Sequence, residues 1–350
     1  MNYDKKSEKI IEELRVRDDF LVLAIESSCD ETAVAITQGR KVLSSVIASQ
    51  IEIHRRFGGV VPEIASRNHI IAIDNIVKET LAAAKVGLAD IDVIAATYGP
   101  GLLGALLVGV AYAKSLAFTL GKPLIAVDHI KGHIAANYIA APELRPPYLC
   151  LLTSGGHTAI LKVNSFTDIE ELGSTQDDAV GEAFDKVARV LGLPYPGGPE
   201  IEKLAKSGSL TYALPRAYKG GGGYRFSFSG LKTAVINLVQ NCKARGEEIR
   251  RADLAASFQS EVTDLLTEKA VAAAEEHKLT TIALAGGVGA NGALRELLSQ
   301  RGAQKGIDIL LPPKSLCTDN AAMIGVAAYE EIKAFAKPAK LDLDADPALS

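Results

Sequence analysis

The chain is 350 residues long, carries a formal charge of −4, and is 48% hydrophobic, 23% charged and 5% aromatic. This composition excludes a disordered, collagenous or disulfide-built protein. The mild acidity excludes nucleic-acid binding by bulk charge while leaving room for a local basic patch. The four cysteines (Cys29, Cys150, Cys242, Cys317) form no C-x-x-C pair, so no zinc ribbon is readable and a reducing cytosol is the natural compartment.

Residues 1–20 are highly charged and lack the apolar core of a signal peptide; they read as a frayed helical extension. Beyond them, apolar runs of strand length alternate with helical stretches, which predicts α/β layers. Residues 21–25 read as a strand, 26–32 as a polar turn and 33–36 as the returning strand. A helix over 70–84, a strand over 93–97, a helix over 102–120 and a strand over 124–127 follow. The stretch 93–113 is uncharged, but Gly99-Pro100-Gly101 interrupts it, so it reads as a strand, a turn and a buried helix rather than a membrane span. Pro142, Pro146 and Pro147 mark a domain boundary. After them, 148–153 is a strand, Ser154-Gly155-Gly156-His157-Thr158 a turn and 159–163 a strand.

The second half therefore opens as the first does, since LVLAIESSCDETAVAI and YLCLLTSGGHTAILKV share one plan. That repeat predicts a duplicated two-lobed α/β architecture of the actin, hexokinase and heat-shock-70 type, with the two turns gripping a nucleotide's phosphates in an interlobe cleft. The expected division is a charged extension (1–20), a first lobe (21–143), a second lobe (144–318) and a loose tail (338–350), with a helix over 319–336 packing back on the first lobe. In the second half a Gly/Pro-rich loop (195–199) and a glycine run (220–223, read as a mobile loop) come first. A long helix (254–277), a strand (281–285), a glycine turn (286–291) and a helix (293–301) complete the pattern.

Several motifs suit chemistry. Ser154-Gly155-Gly156-His157-Thr158 exposes backbone N–H groups beside hydroxyls, a phosphate cradle without a Walker lysine. The glycine turn ending at Asn291 opens onto a helix start, which suits an anion or ribose. Gly99-Pro100-Gly101-Leu102-Leu103-Gly104 imitates a dinucleotide fingerprint, but Pro100 lacks the N–H that would face a pyrophosphate, and the glycines read better as close helix–strand packing. His129 and His133 share one helix face at the spacing a metal needs. Ile130 stands where a zincin carries its catalytic glutamate, which argues against a metalloprotease. A third ligand must come from elsewhere, and Asp319, at a helix start, is the candidate. Two imidazoles and one carboxylate leave coordination positions open, as in catalytic iron(II) or zinc sites. Asp30 and Glu31 lie in the first turn, where a carboxylate can serve as a base. His54 to Glu63, with Ser66 to His69, gathers three arginines and an aromatic ring that could meet phosphates or a base.

IESSCDETAVAI, HRRFGGVVPEIASRNH, GPGLLGALLVG, DHIKGH, LLTSGGHTAIL, DDAVGEAFDKVARVLGLPYPGGP, FSFSGLKTA, LAGGVGAN and CTDNAAM together resemble, in order and spacing, the tRNA threonylcarbamoyladenosine transferase family, called TsaD in bacteria. The resemblance runs from about residue 21 to about residue 329. It implies transfer of a threonylcarbamoyl group from threonylcarbamoyl-AMP to N6 of the adenosine next to the anticodon, with release of AMP. It implies a metal on His129, His133 and Asp319, iron(II) by preference and zinc as the alternative. It implies substrate contacts at Leu152, Thr153, Ser154, Gly155, Gly156, Asp185, Gly198, Glu202 and Asn291. It also implies tRNA as substrate and two protein partners (a TsaB-like pseudo-subunit and a TsaE-like ATPase). The cysteine usage and the interrupted apolar stretch add the expectation of no membrane and a cytoplasmic location. Glu31, or Asp30, is the expected proton acceptor.

Overall fold

The computed structural model describes residues 3–216, 218 and 223–349. Lys219 and Gly220 to Gly222, most of the predicted glycine run, lie outside the described residues. The chain divides into two compact units. One takes the residues up to Leu144 together with those from Asp319 onward; the other is Arg145–Thr318.

In the first unit the chain runs α1 (Tyr3–Leu14), β1 (Leu21–Glu26), β2 (Glu31–Gln38), β3 (Lys41–Ser49), α2 (Ile51–Arg55), α3 (Pro62–Ala84), β4 (Val93–Gly99), α4 (Leu103–Leu120), β5 (Leu124–Asp128) and α5 (His129–Ala140). The sheet order is β3-β2-β1-β4-β5. β1 pairs antiparallel with β2 and parallel with β4, so the carboxyl ends of β1, β4 and β5 share one edge. That edge is where ligands bind in open α/β sheets. Val22, Leu23, Ala24 and Ile25 on β1 are all fully buried. Their continuous apolar run reflects cover on both faces. On one face Leu23 and Ile25 join Ile73, Ile76 and Val77 of α3 and Ala113 and Ala117 of α4 in one core.

The second unit repeats the plan with β6 (Tyr148–Thr153), β7 (Thr158–Ser165), β8 (Asp168–Ser174), α6 (Val180–Val190), α7 (Gly197–Ala205), α8 (Ser229–Arg245), α9 (Arg251–Glu276), β9 (Thr281–Ala285), α10 (Gly292–Lys305) and β10 (Asp308–Leu310). Its order, β10-β9-β6-β7-β8, is the first sheet's pattern: a three-stranded antiparallel meander followed by two parallel strands. Phe184 and Phe258 meet edge-to-face with ring centroids 5.2 Å apart at the centre of its core.

The last helix, α11 (Ala321–Lys333), returns to the first unit. Gly325 lets it close on the sheet: a Cβ there would stand 2.6 Å from the Thr37 hydroxyl and 3.3 Å from the Ala24 Cβ. Three expectations need correction. The N-terminal extension is an ordered helix whose Ile11 and Leu14 are buried, and whose Tyr3 hydroxyl donates to the Lys122 carbonyl at 2.9 Å. The tail is not loose. Ala339 N–H donates to Leu124 at 2.7 Å, Asp346 N–H to Tyr98 at 2.7 Å, and Leu343 packs on the first core. Backbone hydrogen bonds and an apolar anchor, neither visible as a pattern in a polar sequence, tie it down. Finally, α4 is not fully buried, because Leu103, Leu107 and Phe118 are exposed. It is long and apolar enough to cross a membrane by length and composition. Its inner face is fitted to β1, where a Cβ on Gly109 would lie 2.3 Å from the Ser27 hydroxyl.

Candidate metal centre and nucleotide loops

The sequence around α5 builds its own ligand pair. The Asp128 carboxylate caps the helix, accepting from Ile130 N–H at 2.7 Å. His129 is then the first helical residue and His133 lies one turn on, on the same face. Their rings meet edge-on with centroids 4.7 Å apart. Gly132 between them lets α11 come close, since a Cβ there would lie 2.7 Å from the Ile324 Cδ1. At the start of α11 the Asn320 side chain caps the helix through Met323 N–H at 3.0 Å. Asp319, just before that cap, is directed at both rings: its Oδ1 stands 3.4 Å from His129 Nε2 and 3.3 Å from His133 Nε2. The three ligand atoms lie within 4.8 Å of one another.

The donor set fits a metal ion. His133 is fully buried, yet among the described residues its Nδ1 has no hydrogen-bond partner and its Nε2 meets only the Asp319 carboxylate, at 3.3 Å. Burying such a group without a partner is costly unless something supplies one. Electrostatics point the same way. Burial alone would lower the His129 pKa, but the Glu26 and Asp319 carboxylates hold it well above the ordinary histidine value. Burial likewise opposes ionisation of Asp319, and the two imidazoles outweigh it, holding the carboxyl far below the usual range. The two carboxylates thus favour positive charge at this point.

Sequence reading missed Glu26. It ends β1, is fully buried, and its Oε2 stands 3.1 Å from His129 Nδ1. Ser28 N–H donates to its Oε1 and the Thr97 hydroxyl to its Oε2, each at 2.5 Å. The available signal was a single carboxylate closing an otherwise apolar strand.

Asp30 and Glu31 lie in the same unit, at the β1–β2 turn. Asp30 is buried and its carbonyl accepts from Gln50 N–H. Glu31 accepts from the Ser49 hydroxyl at 2.8 Å, while its other oxygen is buried with no partner among the described residues. Burial, reinforced by the charges of Asp30 and Asp319, pushes its carboxyl up to about 7 despite the Ser49 hydrogen bond. The imitation dinucleotide motif faces this turn as packing: a Cβ on Gly101 would lie 2.6 Å from the Ser28 carbonyl.

In the second unit the predicted substrate residues gather around the carboxyl ends of β6 and β9 and the start of α6. Leu152 and Thr153 end β6, and the Thr153 hydroxyl donates to Ala285 at 3.2 Å. Ser154 closes the turn by accepting from His157 N–H at 3.0 Å. Gly155 and Gly156 border open space, so their backbones are accessible. Gly181 on α6 allows contact with that turn, a Cβ being only 2.8 Å from the Gly155 Cα. One turn further along α6, Asp185 accepts from Gly197 N–H at 2.7 Å, leaving Gly198 open. Glu202 of α7 accepts from Gly292 N–H at 3.1 Å at the head of α10. Asn291 caps that helix through Leu294 N–H at 3.0 Å and donates to Gln259 at 2.9 Å. Gly286, at φ 85°, brings the second glycine turn against Thr153.

Comparison with known proteins adds family and fold. A family model described as TsaD, tRNA N6-adenosine threonylcarbamoyltransferase, matches residues 41–326. A Clostridium botulinum (strain 657) protein named tRNA N6-adenosine threonylcarbamoyltransferase is 54% identical over 337 residues, covering 95% of this chain and 98% of the relative. A Clostridium perfringens (strain SM101) protein of the same name is 54% identical over 331 residues, covering 94% and 97%. Among solved structures, full-length HypF in its phosphate- and nucleotide-bound form superposes with a TM-score of 0.59 at 16% identity, covering 90% of this chain and 46% of that one. HypF of T. kodakarensis gives 0.56 at 14% identity, covering 90% and 48%. The chain thus spans about half the length of these HypF chains, which at such identity speak for fold alone: the actin, hexokinase and heat-shock-70 type. With a family model over most of its length and relatives more than half identical from end to end, the chain belongs to the tRNA N6-adenosine threonylcarbamoyltransferase family.

Proposed function

We propose that this chain transfers the threonylcarbamoyl group of threonylcarbamoyl-AMP to N6 of the adenosine beside the anticodon in tRNAs reading codons that begin with A, releasing AMP. Family membership gives the reaction. The observation that carries an active, metal-dependent enzyme is the convergence of His129, His133 and Asp319. A nucleotide-binding scaffold without catalysis has no use for an open-sided ligand set.

One divalent ion on these three residues would polarise the carbamoyl oxygen as the amine attacks. Iron(II) is our assignment, because two imidazoles and one carboxylate with open positions suit it; zinc is the alternative outcome of metal analysis. In this reading the backbone N–H groups of Gly155 and Gly156 donate to the AMP phosphate, Glu202 and Asp185 accept from ribose hydroxyls, and Asn291 binds ribose or phosphate. As N6 bonds to the carbamoyl carbon, the bond to the AMP phosphate oxygen breaks and AMP leaves with that electron pair. The N6 proton passes to Glu31, whose raised pKa suits a base working near neutrality.

The exposed face of α3 and α4 supports a protein partner. Ile70, Ile71, Leu103 and Leu107 are exposed on two helices laid side by side, as the Tyr112–Asp74 hydrogen bond indicates. We assign this face to the TsaB-like pseudo-subunit and expect a TsaE-like ATPase to act with the pair. Four free cysteines suit a reducing cytoplasm. Product analysis tests the reading: threonylcarbamoyl-AMP and tRNA should yield AMP, whereas an ATP-dependent kinase of the same fold would make ADP.

A further inference from the structure

We propose that Glu26 is a positioning residue of the metal centre, holding the His129 ring with its proton on Nδ1 so that the Nε2 lone pair is kept for the ion. The inference rests on the reading of His129, His133 and Asp319 as metal ligands.

The geometry leaves His129 one role for each nitrogen. Nδ1 lies 3.1 Å from Glu26 Oε2 and 3.3 Å from the Ser28 hydroxyl, while Nε2 faces Asp319. Both Glu26 oxygens already act as acceptors, one of Ser28 N–H and the other of the Thr97 hydroxyl, so the proton on the hydrogen bond to His129 belongs to Nδ1. Glu26 is itself held rigidly: its two oxygens accept from Ser28 N–H and the Thr97 hydroxyl. It thereby ties the ends of β1 and β4 to the first turn of α5, fixing the ring's rotation as well as its tautomer. Charge agrees. A divalent cation balances Asp319 and Glu26 with both imidazoles neutral, the condition under which a buried ion site carries no net charge. His133 offers the contrast, since its Nδ1 has no partner among the described residues. Outer carboxylates of this kind orient metal-bound histidines and raise their basicity.

Glu26→Gln is the discriminating variant. Its shape is conserved, but its single oxygen cannot serve both positions. With that oxygen on Ser28 N–H, the amide NH₂ faces His129 Nδ1 and donates to it, which drives the ring proton to Nε2 and blocks the ligand position. Thr80→Val, which removes a buried hydroxyl hydrogen bond on α3 away from the centre, serves as control. Binding of zinc and cobalt(II) to the full chain, measured by chelator competition, should weaken about 10- to 100-fold in E26Q and stay near wild type in T80V. Nitrogen-15 histidine NMR should find His129 Nδ1 protonated in the zinc-loaded wild type and without a proton in metal-free E26Q. Thermal melting of the metal-free variants separates tautomer control from loss of fold. Should E26Q fail to fold, the wild-type spectrum decides alone: an Nδ1 without a proton, or bonded to zinc, overturns the proposal. Equal affinity in wild type and E26Q overturns it too, leaving the metal reading intact. A wild-type chain that takes up neither ion overturns the metal reading and this inference with it.

Discussion

Glu31, the proposed base, joins two properties: a pKa near 7 and a buried oxygen with no partner among the described residues. A base works only when ionised, so turnover should rise as pH passes through about 7 and level off above it. Glu31→Gln should lose about 10²- to 10⁴-fold in turnover with metal affinity unchanged; full turnover would remove Glu31 from the reaction. The same burial carries a stability cost whose sign is fixed. The unfolded carboxyl ionises near its ordinary 4.5 and the folded one near 7, so the cost grows between those values and is complete above them. E31Q and wild type should therefore melt together at about pH 5, and E31Q should melt higher at about pH 8. At this scale the sequence was most legible where spacing is chemistry, as in His129 and His133 one helical turn apart. Glu26 escaped because a lone carboxylate at a strand end has no partner spacing to betray it, its partners Thr97 and His129 being far along the chain.

Helix caps turn the sequence into ligand geometry. Asn320 fixes the start of α11 and thereby the direction of Asp319. Asn320→Ala should cost about 1 kcal/mol in urea unfolding and also weaken metal binding, since Asp319 loses the fixed turn behind it. A stability loss with unchanged metal affinity would mean that Asp319 is held by other contacts. Central strands were readable as elements because both their faces are covered: β1, β4 and β6 are continuous apolar runs. The outer strands β3 and β8 were not read. KVLSSVIAS and DIEELGS are partly exposed edge strands whose hydroxyl and acidic residues mask the apolar alternation. Helix α8 was missed for a similar reason, burying little beyond Leu231 and Val235.

At the scale of the whole molecule, one strand order is used twice, and the repeat of the opening hairpins was its visible trace in the sequence. The metal centre joins residues separated by the entire second unit, because α11 returns to the first. The tail then crosses the turn after β4 and seals it through Asp346 and Pro347. Deleting residues 340–350 should lower stability by ~2 kcal/mol, from the half-buried Leu343 and two backbone hydrogen bonds, read as an earlier urea midpoint. An unchanged midpoint would make the tail dispensable. Leu107→Asp, on the exposed α4 face, should leave melting unchanged and abolish association with a TsaB-like partner; association at wild-type strength would move the docking face elsewhere. The central claim is transfer to adenosine that depends on the His129, His133 and Asp319 centre, and its most direct test is mass analysis of tRNA nucleosides after incubation with threonylcarbamoyl-AMP, metal and the partner proteins. Wild type should place threonylcarbamoyl on the adenosine beside the anticodon with one AMP released per group, and Asp319→Ala should place none. Unmodified nucleosides from the wild type, or equal modification by Asp319→Ala, would contradict the account.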